Sequence, residues 1–214
     1  MTKYNRTNHL PYSPGSTNDD RISNSVSTLL GIEIVITEKL DGGNTGMKDE
    51  GVYARSHAEF TTSGWSREVR QLHKVKVEGQ LGEGLFLFGE NMEGIHSIEY
   101  NNLDSYFYIF GLRDNDNWIP WHQVEEYSYL LDIPTVPVLF KGVVETEKEL
   151  KDLVDSLVSK PSELGGQREG IVVRNAGSFD NADFKDNVMK WVRAGHVTTT
   201  NHWTRNWKKA KINR

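Results

Sequence analysis

The residues best suited to chemistry in this chain lie around Lys39. An apolar run, residues 32–36, predicts a buried strand that ends near this lysine. The lysine is followed by an acid and two glycines: Asp41, Gly42 and Gly43. When a lysine is buried, its pKa falls and its amine can act as a nucleophile, while glycines let the backbone approach a phosphate closely. The arrangement suits a lysine that becomes covalently linked to a nucleotide, and a solvated lysine at a strand-to-turn junction is the alternative.

Further charged side chains stand where predicted strands end. They are Arg55, Glu90, Glu169 and Lys190. Strand ends can converge on one cleft, where carboxylates can hold a divalent metal ion or a ribose hydroxyl. Cations there neutralise phosphates and the charge that develops on a phosphorus under attack. The alternatives are ordinary strand-end acids and, for Arg55, an ion pair with Glu59 on a surface hairpin.

Alternating short strands and segregated helices predict an α+β fold with mixed or antiparallel sheets. Strands are predicted at residues 32–37, 52–55, 85–90, 106–112, 139–144, 170–174 and 188–192, with 118–121 continuing the sheet. Helices are predicted at 23–32, 66–76, 124–131 and 147–159. The helix at 66–76 rests on Val69, Leu72 and Val75 at helical spacing.

The composition excludes several classes of protein. With 214 residues, the chain can form one domain or a tight pair of subdomains, and its lack of cysteine excludes disulfides and a thiolate zinc site. No signal peptide or bilayer-length apolar run is seen, so we expect a cytoplasmic protein with no membrane partner. The net charge is −5, yet residues 185–214 hold eight Lys or Arg and three Trp against one acid. This tail suits phosphate and base contacts, or is a solvated charge run.

Six motifs occur in an order that resembles the covalent nucleotidyltransferase superfamily of polynucleotide ligases and mRNA capping enzymes. They are Glu38-Lys39-x-Asp41-Gly42-x-Asn44, Tyr53-Ala54-Arg55-Ser56-His57, Phe88-Gly89-Glu90, Phe107-x-x-Phe110, Arg168-Glu169-Gly170-Ile171-Val172-Val173-Arg174 and Val188-Met189-Lys190-Trp191-Val192-Arg193. The first and third are more similar to ATP-dependent RNA ligases than to DNA ligases. Two terminal motifs resemble those of small phage and bacterial RNA ligase-like proteins and imply no role: His9-Leu10-Pro11…Ser13-Pro14-Gly15 and His196-Val197…Asn201-His202-Trp203. The resemblance covers about residues 30–195. It implies a nucleotidyltransferase (adenylation) domain of mixed or antiparallel sheets flanked by helices, with an ATP cleft between them.

The resemblance also implies a reaction that uses ATP with Mg²⁺ or Mn²⁺. Lys39 attacks the α-phosphorus of ATP to give lysyl-AMP, and Lys190 contacts the α-phosphate. Glu169 helps to hold the catalytic metal ion, with Glu90 as a second candidate ligand. AMP then passes to a 5′-phosphate end, and a 3′-hydroxyl displaces it to seal the strand.

The implied nucleotide pocket consists of five further assignments. Glu38 contacts the amino edge of adenine, and Asn44 belongs to the same motif. Arg55 contacts the ribose and later the nucleic acid, while Glu90 holds the ribose 2′-hydroxyl. Phe107 stacks on adenine, although its aromatic strand makes a core position an equal alternative.

The chain departs from the family pattern in its last motif, which usually has two lysines one residue apart. Here Trp191 follows Lys190, and either Arg193 or Lys185 is the candidate replacement. In the aromatic strand, Gly111 replaces a common acid.

The expected domain order has an irregular segment at 1–25, the nucleotidyltransferase domain at 26–195 and a basic, Trp-containing tail at 196–214. No OB domain is expected. Nucleic acid ends, RNA rather than DNA, are the expected partner, and no oligomeric state is predicted. The candidate contacts to nucleic acid are Arg55, Arg193, Lys208 and Lys209.

Three alternatives to an RNA ligase stay open from the sequence. A DNA nick-sealing ligase has the same motifs but usually carries an OB domain. A nucleic-acid-binding or regulatory module could keep the fold without turnover, which the missing second lysine favours and the retained Lys39 disfavours. Guanylyl transfer is disfavoured by Glu38, because a carboxylate suits the amino group of adenine.

Overall fold

The computed structural model describes residues 3–17, 19–55, 59–195 and 207–213. Two large sheets and four α-helices form in these ranges, and the predicted α+β class is confirmed. Ser56 and His57 of the second motif, and residues 196–206 of the predicted tail, lie outside the described residues. In the described ranges, no helix is both long enough and apolar enough to cross a bilayer. The predicted domain boundaries stay predictions.

The first sheet carries Lys39 at the end of a central strand. Its strands, in spatial order, are β1 (Asn8–His9), β12 (Val188–Val192), β10 (Gly170–Asn175), β2 (Glu33–Lys39) and β9 (Val138–Val143). β1 is parallel to β12, and the other neighbours are antiparallel. The Val- and Ile-rich runs of β2 and β10 fill a core under helix α3 (Glu147–Val158), which begins with a capping box formed by Thr146 and Glu149.

The second sheet is antiparallel throughout. Its order is β11 (Phe179–Asp180), β8 (Asn117–Trp118), β7 (Phe107–Asp114), β5 (Leu85–Asn91), β3 (Gly43–Lys48) and β4 (Gly51–Ala54). Strand β3 is absent from the sequence-based prediction because its glycines and polar residues have low strand propensity. It forms because β4 and β5 pair with it on both sides, and pairing outweighs propensity.

Two of the remaining helices differ from prediction in detail. Helix α1 (Arg67–Lys76) is confirmed, but it buries Val69 and His73 while Val75 is 70% exposed. Helix α2 (Trp121–Leu131) begins directly after Pro120, so Trp121 belongs to a helix and not to the predicted strand at 118–121. The fixed φ angle of proline is compatible with the start of a helix. Residues 23–32 contain only a single 3₁₀ turn, Ser27–Leu29. Helix α4 (Phe184–Asn187) is one short turn that leads into β12.

A third, two-stranded sheet ties the end of the chain to the body. It pairs β6 (Gly94–Ile95) with β13 (Lys208–Lys209). The backbone N–H of Ala210 donates to the carbonyl of Glu93 at 2.9 Å, and the Tyr106 hydroxyl donates to the carbonyl of Ala210 at 3.1 Å. The described part of the basic tail is therefore folded onto the domain.

Candidate active site

A cavity of about 790 Å³ opens where the two large sheets meet. Strand β2 ends at Lys39 and β3 begins at Gly43, so only three residues carry the chain from one sheet into the other. This volume lies in the range of small-molecule sites. Six predicted residues line the cavity: Glu38, Lys39, Asn44, Arg55, Glu90 and Lys190. The structure therefore brings most of the predicted site together.

Lys39 and Glu169 form an ion pair beside this cavity. Lys39 pairs with Gly170 across β2 and β10, which places the preceding Glu169 next to the lysine. Lys39 Nζ donates to Glu169 Oε2 at 2.6 Å, and the two side chains are 28% and 6% exposed. Burial favours the neutral amine, but the carboxylates of Glu169, Glu90 and Asp41 outweigh it and raise the pKa of Lys39. The expectation that the pKa of Lys39 is lowered is therefore wrong for the cavity on its own, because the charges of three acids outweigh the effect of burial.

The turn after Lys39 is held in place by the loop that follows β6. Asp41 Oδ2 accepts hydrogen bonds from the backbone N–H groups of Ser97, at 2.7 Å, and Ile98, at 2.8 Å. The N–H of Asp41 donates to the hydroxyl of Tyr100 at 2.9 Å. These three bonds fix the backbone next to the lysine, so its amine starts from a defined position.

Glu38 is buried in the wall of the cavity. Its Oε2 accepts from the backbone N–H of Glu163 at 3.0 Å and lies 3.5 Å from a guanidinium nitrogen of Arg168. Burial raises the pKa of Glu38, although these contacts oppose the shift. Its Oε1 has no hydrogen-bond partner among the described residues. A buried acceptor without a partner costs free energy, so Oε1 is suited to a donor on a ligand.

Glu90 and Asn44 lie opposite each other on β5 and β3. Burial raises the pKa of Glu90 to about 8; Lys39 opposes this shift, and Glu169 and Asp41 reinforce it. Asn44 Oδ1 is buried and has no hydrogen-bond partner within the described ranges. This side of the cavity therefore offers an acid and an amide oxygen to a ligand.

The residues present fit a divalent ion that is coordinated jointly by protein carboxylates and by the phosphates of a bound nucleotide. In the described ranges, no group of three or more His, Asp or Glu side chains forms a ready-made metal cage. Mg²⁺ usually binds one or two carboxylates and completes its shell with water and substrate phosphates, and Mn²⁺ favours the same ligands. Glu169 acts on Lys39 electrostatically and supplies one such carboxylate. Glu90 supplies the second when a bound ion displaces the proton that its raised pKa favours.

Two more predicted cations face the cavity. Arg55 follows β4, is exposed, and donates its backbone N–H to the carbonyl of Asn44 at 3.2 Å. Lys190 pairs with Val172 across β12 and β10, and its Nζ lies 3.7 Å from Asp20 Oδ1. Burial lowers the pKa of Lys190, and Asp20 opposes this effect. Both side chains are placed to meet anionic groups of a ligand.

The structure does not bring Phe107 to the cavity. Its side chain is 0% exposed and packs in the core of the second sheet. Phe110 lines the cavity instead. The register between β5 and β7 slips by one residue at this point and leaves Phe110 without a partner on β5. Such a bulge re-aims a side chain, which strict alternation along the strand does not reveal.

The other predicted cations lie away from the cavity lining. Lys185 and Arg193, the candidates for the second lysine of the last motif, are not among the lining residues, nor are Lys208 and Lys209. Lys209 Nζ is paired with Glu68 Oε1 at 2.7 Å, whereas Lys208 is exposed. The structure thus offers no second lysine to the described cavity at that motif.

The sequence prediction missed a wall of the cavity that the N-terminal segment forms. Its lining residues are Lys3, Tyr4, Arg6, Thr7 and Asp20. The ring of Tyr4 lies 5.1 Å from that of Phe110, and its burial raises the pKa of Tyr4 to about 12. Arg174 also lines the cavity and donates to the carbonyl of Phe110 at 3.3 Å; burial lowers its pKa to about 10. The only sequence signal for the segment was the motif His9-Leu10-Pro11, which has no evident chemistry.

Comparisons with known proteins agree with this geometry. The RNA ligase family model matches residues 32–192, and no curated protein matches the chain. One similar solved structure is a mutant RNA ligase of Naegleria gruberi that was solved with ATP and Mn. It is 17% identical in sequence, the match covers 90% of this chain and 62% of that chain, and the TM-score is 0.58. A mutant of the same ligase without ligand shows 19% identity over 81% of this chain and 52% of that chain, with a TM-score of 0.58. The chain thus spans about half to six-tenths of the length of these structures, and the likeness shows the fold. Because the family model covers most of the sequence, the chain belongs to the RNA ligase family.

Proposed function

We propose that this chain is an ATP-dependent RNA ligase that acts through a lysyl-AMP intermediate. The observation that carries the proposal is the placement of Lys39, whose partly exposed amine lies at a cavity between two sheets and contacts Glu169 at 2.6 Å. The solved Naegleria ligases with ATP and Mn, or with AMP and Mn, have the same fold and support the choice of nucleotide. We expect this chain to act in the cytoplasm of a bacterial or phage-infected cell, where ATP and RNA ends are both present.

In the first step, the deprotonated amine of Lys39 attacks the α-phosphorus of ATP. A P–N bond forms, the bond from the α-phosphorus to the bridging oxygen breaks, and pyrophosphate leaves, while the nitrogen releases one of its two protons to solvent. Glu169 and Glu90 would hold a divalent ion, which would supply Lewis-acid stabilisation of the phosphate charge. When Glu169 faces a cation other than Lys39, its contribution to the raised pKa of Lys39 is removed, and the amine loses its proton more easily. Lys190 and Arg55 contact the phosphates and ribose.

The wall of the cavity suits adenine. Glu38 Oε1 is an unsatisfied acceptor among the described residues, and the exocyclic amino group of adenine is a matching donor. We assign the stacking role to Phe110, with Val172 of the first sheet as the opposite surface, because both line the cavity. Phe107 keeps a role in the core.

In the later steps AMP is handed to RNA. An oxygen of a 5′-phosphate attacks the lysyl-AMP phosphorus, the P–N bond breaks, and the departing amine takes a proton. A 3′-hydroxyl then attacks the 5′-phosphorus of the activated end, a phosphodiester forms, and AMP leaves. RNA is the proposed substrate because the family match is to RNA ligases, and DNA ends are the alternative that a substrate panel tests.

The test is intact mass after incubation with ATP and magnesium. We expect a gain of one AMP in the wild type and none in Lys39→Ala. Lys48→Ala is the matched control, because Lys48 lies in the adjacent strand outside the cavity and pairs with Glu50. Labelling that survives Lys39→Ala would sink the assignment. No labelling with ATP, GTP or NAD, from a protein whose starting mass is unmodified, would favour a binding module without turnover.

A further inference from the structure

Asp20 stands at the meeting point of three basic side chains on the cavity wall. Its Oδ1 lies 3.5 Å from His9 Nε2, 3.7 Å from Lys190 Nζ and 3.9 Å from a guanidinium nitrogen of Arg6. Asp20, His9 and Arg6 all precede residues 32–192, the part that the family model matches. The N-terminal segment therefore adds a charged contact to the lysine of the last motif.

The Asp20 carboxylate is held in one orientation. Its other oxygen, Oδ2, accepts from the backbone N–H of Thr17 at 3.0 Å and from the Thr17 hydroxyl at 2.9 Å. Burial disfavours the ionised form, but these hydrogen bonds, together with the charges of Lys190 and His9, lower the pKa of Asp20 to about 2. The carboxylate is therefore anionic at physiological pH, with Oδ1 turned toward the cations.

His9 supports this contact from the inside. Its side chain is 1% exposed, and its Nδ1 lies 2.8 Å from the Ser13 hydroxyl. The Ser13 hydroxyl in turn accepts from the backbone N–H of Val192 at 2.9 Å. Strand β1 sets His9 opposite Lys190, because the two are partners in the parallel pair β1–β12. The imidazole Nδ1 is thus linked to β12 through the Ser13 hydroxyl, while its Nε2 faces Asp20.

Lys190 needs such a contact to occupy one position. Its ammonium is carried on a flexible four-carbon stem, and its side chain is 20% exposed. Among the other charged groups that shift its pKa, Lys39 and Arg55 repel the ammonium and Glu169 attracts it. In the described ranges, Asp20 is the acid within ion-pair distance of Lys190.

We propose that Asp20 is a positioning residue that holds the Lys190 ammonium at the phosphate end of the cavity, with His9 and Thr17 keeping Asp20 in place. The inference rests on the proposed function, since it assigns Asp20 to the lysyl-AMP step. It gives the N-terminal segment a part in catalysis that acts through Lys190 and not through contact with ATP.

The first test compares Asp20→Asn with Asp20→Glu and Asp19→Asn in single-turnover formation of lysyl-AMP. Asp19 is the matched control, because it is adjacent and its side chain is exposed. We expect Asp20→Asn to slow the step by about 10- to 100-fold, as displacement of a catalytic group by about 1 Å does. Asp20→Glu should recover part of the rate, and Asp19→Asn should match the wild type. Thr17→Val, at an exposed position, should give a smaller loss in a protein that stays folded.

The second test asks whether Asp20 acts through Lys190. Binding of α,β-methylene-ATP, which cannot give up AMP, is measured by calorimetry in the wild type, in Lys190→Met and in each with Asp20→Asn added. We expect Asp20→Asn to weaken binding in the wild type and to change nothing in Lys190→Met. An equal loss of affinity in the wild-type and Lys190→Met backgrounds overturns the proposal. It is also overturned if Asp20→Asn forms lysyl-AMP at or above the wild-type rate, because the Asp20 carboxylate would then compete with the ATP phosphates for Lys190. Failure of the wild type itself to form lysyl-AMP is a separate result that rejects the proposed function.

Discussion

Lys39 and Glu169 are joined by a 2.6 Å ion pair because their strands pair with Lys39 opposite Gly170. This contact holds Lys39 in its protonated form, because the nearby carboxylates raise its pKa. A protonated amine cannot attack phosphorus, so the proposed reaction requires Glu169 to exchange Lys39 for another cation. In that proposal, loss of the lysine proton is coupled to arrival of the metal ion and nucleotide.

Glu169→Gln tests this coupling. Burial favours the neutral amine, and removal of the Glu169 charge takes away the largest opposing effect and leaves the smaller ones of Glu90 and Asp41, so the pKa of Lys39 falls. The acid limb of lysyl-AMP formation should then move to lower pH. The maximum rate should drop, because a carboxylate proposed to hold the metal ion is lost. Single-turnover rates across a pH series at subsaturating ATP and manganese report the free enzyme, in which the ion pair is intact, and give the acid limb. The same rates at saturating ATP and manganese give the maximum.

The control for that experiment is Glu99→Gln, since Glu99 is an exposed acid outside the cavity. Its pH profile should superimpose on that of the wild type. An acid limb that stays in place in Glu169→Gln would show that the ion pair does not set the protonation of Lys39.

Substitutions at Phe110 and Phe107 should affect different properties, ATP binding for Phe110 and the stability of the fold for Phe107. Phe110→Ala should raise the KM for ATP by about tenfold, which corresponds to the loss of ~1–3 kcal/mol of base stacking. Phe107→Ala should lower the free energy of unfolding by about 3–5 kcal/mol, because its ring is fully buried. Urea unfolding and the ATP dependence of lysyl-AMP formation give the two quantities for each variant. The reverse pattern, with ATP binding lost in a stably folded Phe107→Ala, would return the stacking role to Phe107.

The sequence predicted that charged residues at strand ends converge, because order along a strand carries over to position in space. Lys39, Glu90 and Lys190 do line one cavity, and their roles there stay predictions. Phe110 was missed because its bulge depends on the register with a partner strand. The position of Asp20 at the cavity was missed for a related reason, since long-range contacts such as the pairing of β1 with β12 bring the N-terminal segment there.

Gly42 and Gly43 differ in how much space surrounds them. A Cβ atom on Gly42 would lie 2.6 Å from the carbonyl oxygen of Asn91 and 2.7 Å from the sulfur of Met92. On Gly43 the nearest atoms would be 3.8 Å away, an ordinary contact. Gly42→Ala should therefore lower the melting temperature and slow lysyl-AMP formation, while Gly43→Ala should melt close to the wild type. Equal melting temperatures for the two variants would show that the backbone at Gly42 can relax without cost.

Lys208 and Lys209 are adjacent but differ in their contacts, which makes them a matched pair for RNA binding. Lys209 Nζ lies 2.7 Å from Glu68 Oε1 and 5.2 Å from the centroid of the Tyr106 ring, so its charge is already partnered. Lys208 is exposed on β13, and in the described ranges no acid lies within ion-pair distance of it. A cation that contacts an RNA phosphate releases about one counterion, which appears in the salt dependence of binding.

Lys208→Ala should therefore reduce the slope of log affinity against log salt by about 0.7, the value for one contact to a single strand. Lys209→Ala should leave that slope unchanged and should instead weaken the attachment of β13, seen as faster hydrogen exchange at Ala210. Fluorescence anisotropy with a 5′-phosphorylated RNA over a series of salt concentrations measures the slopes. Equal reductions in both variants would mean that Glu68 releases Lys209 to the RNA, and no change in either would place the RNA path away from β13.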